Sequence, residues 1–170
     1  MHEKERNTGD EVTDLSFQTI HADDSPKQVQ NWLEKERTKE VNKVFLVNGK
    51  TYVIVQLGQK STGGYRVSVK QIELVKPSSG NQTVFVHYQV KAPKQGSFNI
   101  QVLTYPVAIV VLNKEYHIDF CFKQIKKPNK LKETKSHPAV HEHHKSKTDK
   151  CGQDKLAHPQ KLTENGEIEE

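Results

Sequence analysis

The chain has 170 residues, a hydrophobic fraction of 33% and a formal net charge of +5. That length admits one ordinary domain with extensions, and the low apolar share excludes a chain that is globular throughout. Residues 15–123 hold fourteen basic and eight acidic groups, a mild excess that excludes the dense basic stripe of a dedicated nucleic-acid binder.

In chain order, residues 1–14 are charged and read as a disordered N-terminal segment. Leu15 to Ile20 reads as a short strand. Ser25-Pro26-Lys27-Gln28 then has the form of a helix start, with Ser25 as N-cap, Pro26 at the first helical position and Gln28 in a capping box. Val29, Trp32 and Leu33 fall on one face of the helix expected near 26–39, and Trp32 anchors it to a sheet. Lys43–Val47 and Lys50–Leu57 flank Asn48-Gly49, a strong hairpin signal because both residues tolerate positive φ.

From Tyr65 to Lys76 the apolar parity slips between Val69 and Ile72, which places a β-bulge near Lys70-Gln71. Val84, Val86, Tyr88 and Val90 alternate on the next strand, and Phe98 to Leu103 reads as another. Val107 to Leu112 is apolar without a break, the pattern of the most buried strand. Glu115 to Lys123 closes the series with Tyr116, Ile118, Phe120 and Phe122 on one face. Turn signals every 8–12 residues give a mainly β fold: an antiparallel β-sandwich or partly closed barrel over 15–123, with one short helix and disordered termini. Residues 124–170 scatter few apolar side chains among Lys, Glu, Asp, His and Pro, and read as a disordered charged tail.

The most informative segment is Gly58-Gln59-Lys60-Ser61-Thr62-Gly63-Gly64-Tyr65. Gly58 and Gly63 imitate the opening of a phosphate-binding loop. The Lys and Ser or Thr that such a loop needs are replaced by Gly64 and Tyr65, and a strand follows instead of a helix; two of the three parts a nucleotide site requires are missing, which counts against nucleotide binding. A glycine-rich connection with outward amides and hydroxyls suits binding more than catalysis. Lys60, Ser61, Thr62, Gly63 and Gly64 are the expected partner contacts, and Tyr65 is expected to point into the core and set the loop's shape.

Other constellations are weaker. His117, Asp119 and Cys121 alternate along one strand face, with His87 on a strand that could neighbour it; these are residue types of thiol or metal chemistry, equally compatible with a half-solvated sheet face. In the tail, His137, His141, His143 and His144 could take up a metal weakly, but their spacing matches no structural zinc pattern. Tyr65, Tyr88, Tyr116, Phe120 and Phe122 have core parity, which counts against base stacking. No cofactor is expected, and no ordered catalytic set is visible, so the expectation is a non-enzyme. No apolar run could span a bilayer. Asn81-Gln82-Thr83 is a formal glycosylation sequon in a turn. With no apolar leader after Met1, the cytoplasm is the expected compartment and Cys121 and Cys151 are expected as reduced thiols; export is the alternative if a leader is missing from this chain.

Gly58, Gln59, Lys60, Thr62, Gly63, Gly64 and Tyr65, followed by Val67 and Val69, then Pro93-Lys94-Gln95-Gly96 and Leu103-Thr104-Tyr105-Pro106 before Val107, resemble the C-terminal domain of the PrcB family, named for a non-catalytic subunit of a bacterial surface protease complex. The resemblance covers about residues 42–122. It implies a small β domain that assists or stabilises a protease assembly without cleaving anything, and family members with that role are exported. The Thr62-to-Tyr65 loop also looks like a loop of chagasin-type cysteine-protease inhibitors, which are immunoglobulin-like sandwiches. The resulting expectation is a binding or assembly module with a protein partner. The alternatives are a single-stranded nucleic-acid-binding β domain and a chagasin-like inhibitor. The sequence leaves the oligomeric state open.

Overall fold

Asn48 and Gly49 both hold positive φ, 52° and 76°, and turn the chain between β3 (Glu40–Val47) and β4 (Lys50–Leu57) in the hairpin their sequence specifies. The computed structural model describes residues 9–126 and 156–162. The remaining strands are β1 (Glu11–Asp14), β2 (Gln18–Ile20), β5 (Arg66–Lys76), β6 (Thr83–Lys91), β7 (Val107–Leu112), β8 (Asp119–Gln124), β9 (Leu156–Ala157) and β10 (Gln160–Lys161), with one α-helix, α1 (Lys27–Glu36). They form two five-stranded sheets, β1-β5-β6-β8-β9 and β10-β3-β4-β7-β2. The sheets do not close into a barrel. The architecture is a β-sandwich.

The sheets are mixed rather than purely antiparallel. After β6 the chain crosses to the other sheet as β7, so β8 returns alongside β6 in parallel, and β10 also lies parallel to β3. Between the sheets lies the main core, with Val44, Val53, Val55, Ile72, Val84, Val86, Val110, Phe120 and Phe122 at its centre. A second core lies on the other face of the β4-containing sheet, where α1 sets Val29 and Leu33 against Phe45, Tyr52, Ile54, Ile109 and Val111. Covered on both faces, β7 is apolar throughout and β4 is apolar from Tyr52 to Val55. Trp32 meets Phe45 edge-on, with ring centroids 5.2 Å apart.

The bulge falls where the parity slips, between Val69 and Gln71. The helix start differs from expectation. Ser25 Oγ donates to the Ala22 carbonyl at 2.6 Å and closes a single 3-10 turn over Ala22–Asp24, while Pro26 occupies the N-cap of α1 without a side-chain cap bond. In place of a capping box, Gln30 Nε2 reaches back to the carbonyls of Asp23 and Ser25. Phe98 to Leu103 is not a strand: residues 92–106 form a long connection whose only ladder contact is a bridge at Thr104.

Two segments placed outside the domain by sequence pair with the sheets. Glu11–Asp14 lies antiparallel along β5, and Leu156–Lys161 bridges the two sheets through β9 on β8 and β10 on β3. These strands are two to four residues long, too short to carry a periodic signal. His137, His141, His143 and His144 lie outside the described residues.

Candidate functional site

Two connections meet at one end of the sandwich: the glycine loop between β4 and β5, and the longer 92–106 segment between β6 and β7. Lys60 and Thr104 exchange backbone hydrogen bonds at 2.8 and 2.9 Å, Gly63 N donates to the Ile100 carbonyl at 3.1 Å, and Thr104 Oγ1 donates to the Thr62 carbonyl at 3.1 Å. Gln59 N is engaged by the Thr38 carbonyl at 3.2 Å. The amides of Gln59, Lys60 and Gly63 therefore serve the fold, which corrects the expectation that they face outward for a partner.

The glycines divide by role. Gly58 has φ +68°, and a Cβ there would stand 2.8 Å from the Thr38 carbonyl oxygen and 2.9 Å from Glu40 N. Gly64 has φ +90°, and a Cβ would meet the Pro93 Cβ at 3.0 Å. A Cβ on Gly63 would meet nothing closer than 3.9 Å. Gly58 and Gly64 are thus fixed by backbone geometry and close approach.

Ser61 and Gly64 are exposed, while Lys60, Thr62, Gly63 and Tyr65 are half-buried. Tyr65 does not join the core as its parity suggested. It precedes β5, and the Lys60 ammonium lies 5.7 Å from its ring centroid. Lys60 Nζ is also 3.8 Å from Glu40 Oε2. Nearby, the Arg37 guanidinium sits 5.0 Å above the Tyr105 ring, and Tyr105 hydroxyl reaches Gln59 Oε1 at 3.4 Å. The neighbouring loop exposes Phe98, Ile100, Val102 and Leu103, a run that sequence reading had assigned to a strand.

The thiol or metal constellation is not assembled. Strands β6 and β8 are neighbours, but His87 Nε2 binds Glu73 Oε2 at 2.9 Å and His117 precedes β8, where it meets Glu115 Oε2 at 3.2 Å. Asp119 Oδ1 takes His158 Nδ1 at 2.8 Å. Among the described residues no group of three or more His, Cys, Asp or Glu side chains could hold a metal ion. Cys121 is buried and disulfide-bonded, which corrects the expectation of a reduced thiol; the sequence has one other cysteine, Cys151.

A cavity of about 320 Å³ opens where β9 crosses towards the other sheet, lined by Asn42, Gln56, Tyr88, Phe122, Leu156 and Ala157 among others. None of the loop residues Lys60 to Tyr65 lines it. Burial holds the Tyr88 phenol above its ordinary pKa, opposed by its hydrogen bond with Asn42. Among the described residues no helix is long and apolar enough to cross a membrane.

The frame is a small two-sheet β-sandwich that carries two cross-tied loops at one end. The family model described as PrcB C-terminal matches residues 51–113, from β4 through β7, and so takes in both loops. The match bears out the resemblance carried by the glycine loop and is consistent with a module associated with a protease complex. No curated protein and no solved structure gives a significant match.

Proposed function

We propose that this chain is a non-catalytic binding and assembly module, an accessory subunit that docks on or stabilises a protease complex through the glycine loop. The observation that carries this reading is the PrcB C-terminal match over 51–113, whose span brings in the glycine loop and the segment that braces it. Lys60, Ser61, Thr62, Gly63, Gly64 and Tyr65 form the contact edge. Ser61 is its most accessible side chain, and rigid bracing by Thr104 lowers the ordering cost of docking. The Cys121 disulfide supports an oxidising compartment, and with it the exported alternative over the cytoplasm.

The test is capture with the full-length oxidised chain as bait, followed by identification of the retained proteins. A protease subunit should be held by the wild type and lost by Ser61→Trp, which obstructs an exposed loop position without touching the core. Retention of no protease, or equal retention by the tryptophan variant, would refute the reading.

A further inference from the structure

Arg66 and Lys91 stand directly opposite each other on β5 and β6, both exposed, at the end of the sandwich where the loops emerge. Like charges in that position repel across the ladder. Among the described residues neither has an ion-pair partner, nor does the exposed Lys94 three residues further on. Between Glu73 and Glu115 the chain has no carboxylate side chain at all. At this end of the fold Glu40 is engaged by Lys60 of the glycine loop, while Arg66, Lys91 and Lys94 form a cationic base with no ion-pair partner among the described residues.

Above that base rises an apolar crest. Phe98 is 109% exposed and Ile100 79%, with Val102 at 48% and Leu103 at 56%. Phe98 and Ile100 rest on almost nothing in the chain, yet their backbone is held: Gly63 N binds the Ile100 carbonyl, and Asn99 Nδ2 binds the Ser97 carbonyl at 3.1 Å and its hydroxyl at 3.0 Å. Isolated exposed hydrophobes are ordinary, but four within six residues form a patch that calls for a partner.

We propose that this end of the sandwich docks on an anionic lipid bilayer, with Phe98 and Ile100 entering the boundary between headgroups and acyl chains while Arg66, Lys91 and Lys94 face the headgroups. The charge balance selects that occupant. A bilayer supplies dense negative charge directly over an apolar phase, which matches cations at the base of a protruding apolar crest. It also accepts side chains of any packing geometry, whereas a protein hot spot is set in a packed surround that Phe98 lacks.

The full-length chain should co-sediment with vesicles of mixed phosphatidylcholine and phosphatidylglycerol, and not with phosphatidylcholine alone. Phe98→Ser with Ile100→Ser should lower partitioning by at least about tenfold, and Lys91→Glu should weaken it and flatten its salt dependence. Phe98→Trp should be quenched by brominated acyl chains, which reports insertion. Both apolar positions are exposed, so circular dichroism should show each variant folded. No co-sedimentation with the anionic vesicles would overturn the proposal and leave the crest to a protein partner. Undiminished binding by the double serine variant, or an unquenched tryptophan, would overturn it equally, because adsorption would then be that of any basic surface on any polyanion.

Discussion

Lys60 and Thr104 meet as a single isolated bridge, exchanging backbone hydrogen bonds in both directions between loops that are remote in sequence. Thr104 adds a third tie through its hydroxyl to the Thr62 carbonyl. The bracing thus depends on the side chain of Thr104 and only on the backbone of Thr62. Thr104→Val should cost about 1 kcal/mol in urea unfolding, since a part-buried acceptor loses its donor. Thr62→Ala with Lys60→Ala should cost about 1 kcal/mol or less, because the Lys60 ion pair and ring contact are surface interactions. If the double alanine variant were the more damaging of the two, the side chains and not the backbone would be holding the loops together.

The three loop glycines should separate sharply under substitution. Gly63→Ala should change stability by no more than about 0.5 kcal/mol, having neither positive φ nor a close neighbour. Gly64→Ala should cost roughly 1–3 kcal/mol through its left-handed backbone and the Pro93 contact. Gly58→Ala should be worst of the series, since its Cβ would press on backbone atoms of Thr38, Lys39 and Glu40 that cannot swing aside. Equal effects at Gly63 and Gly64 would contradict this division.

Gln56 is 2% exposed in β4, and its Nε2 donates to the carbonyls of Glu36 at 2.6 Å and Lys39 at 2.8 Å. It caps the C-terminal end of α1 from the sheet beneath. Gln56→Leu should therefore cost roughly 1–3 kcal/mol, leaving the Glu36 carbonyl at the helix end and the Lys39 carbonyl in the turn beyond it without this donor. Amide exchange should show the loss first in the last turn of α1.

Much of the frame was legible because its signals are local. Asn48-Gly49, the unbroken Val107–Leu112 run and the parity slip after Val69 each state a backbone geometry in adjacent residues. The features that escaped are long-range. Nothing near Gln56 indicates a helix end above it, and nothing in Phe98–Leu103 distinguishes an exposed crest from a strand with one buried face. Tyr65 has core parity, but it lies one residue before β5 and turns to Lys60 instead. The candidate site was legible in the residues of the glycine loop and not in its other half, because bracing by Ile100 and Thr104 depends on where the chain returns. The oxidised state of Cys121 escaped for the same reason: a cysteine's sequence neighbours do not state whether a second sulfur reaches it.

The disulfide at Cys121 sits in the buried stretch of β8. Thiol titration of the unfolded, unreduced chain should find no free sulfhydryl. Cys121→Ser should lower stability by about 2–4 kcal/mol, the usual range for losing a native cross-link. An unreduced chain that titrates two thiols would return Cys121 to the reduced state and remove the support for an oxidising compartment.

Alkaline pH should reveal the two tyrosines that the sandwich shields. Burial raises the phenol pKa of Tyr52, and burial also raises that of Tyr88 against the pull of its Asn42 hydrogen bond. Each phenol is therefore harder to ionise folded than unfolded, where its pKa is about 10. The stability these rings contribute is complete below pH of about 10 and is lost as pH rises through their folded values. Lys43 acts in the opposite sense. Burial lowers its pKa, so its contribution is present above the unfolded lysine value and lost as pH falls; at neutral pH it opposes folding, and Lys43→Met should stabilise the chain. In a titration followed by tyrosinate absorbance, Tyr88→Phe and Tyr52→Phe should each remove part of the latest rise, and that rise should coincide with loss of β-sheet circular dichroism. A late rise unchanged in both variants would show that neither phenol is shielded by the fold.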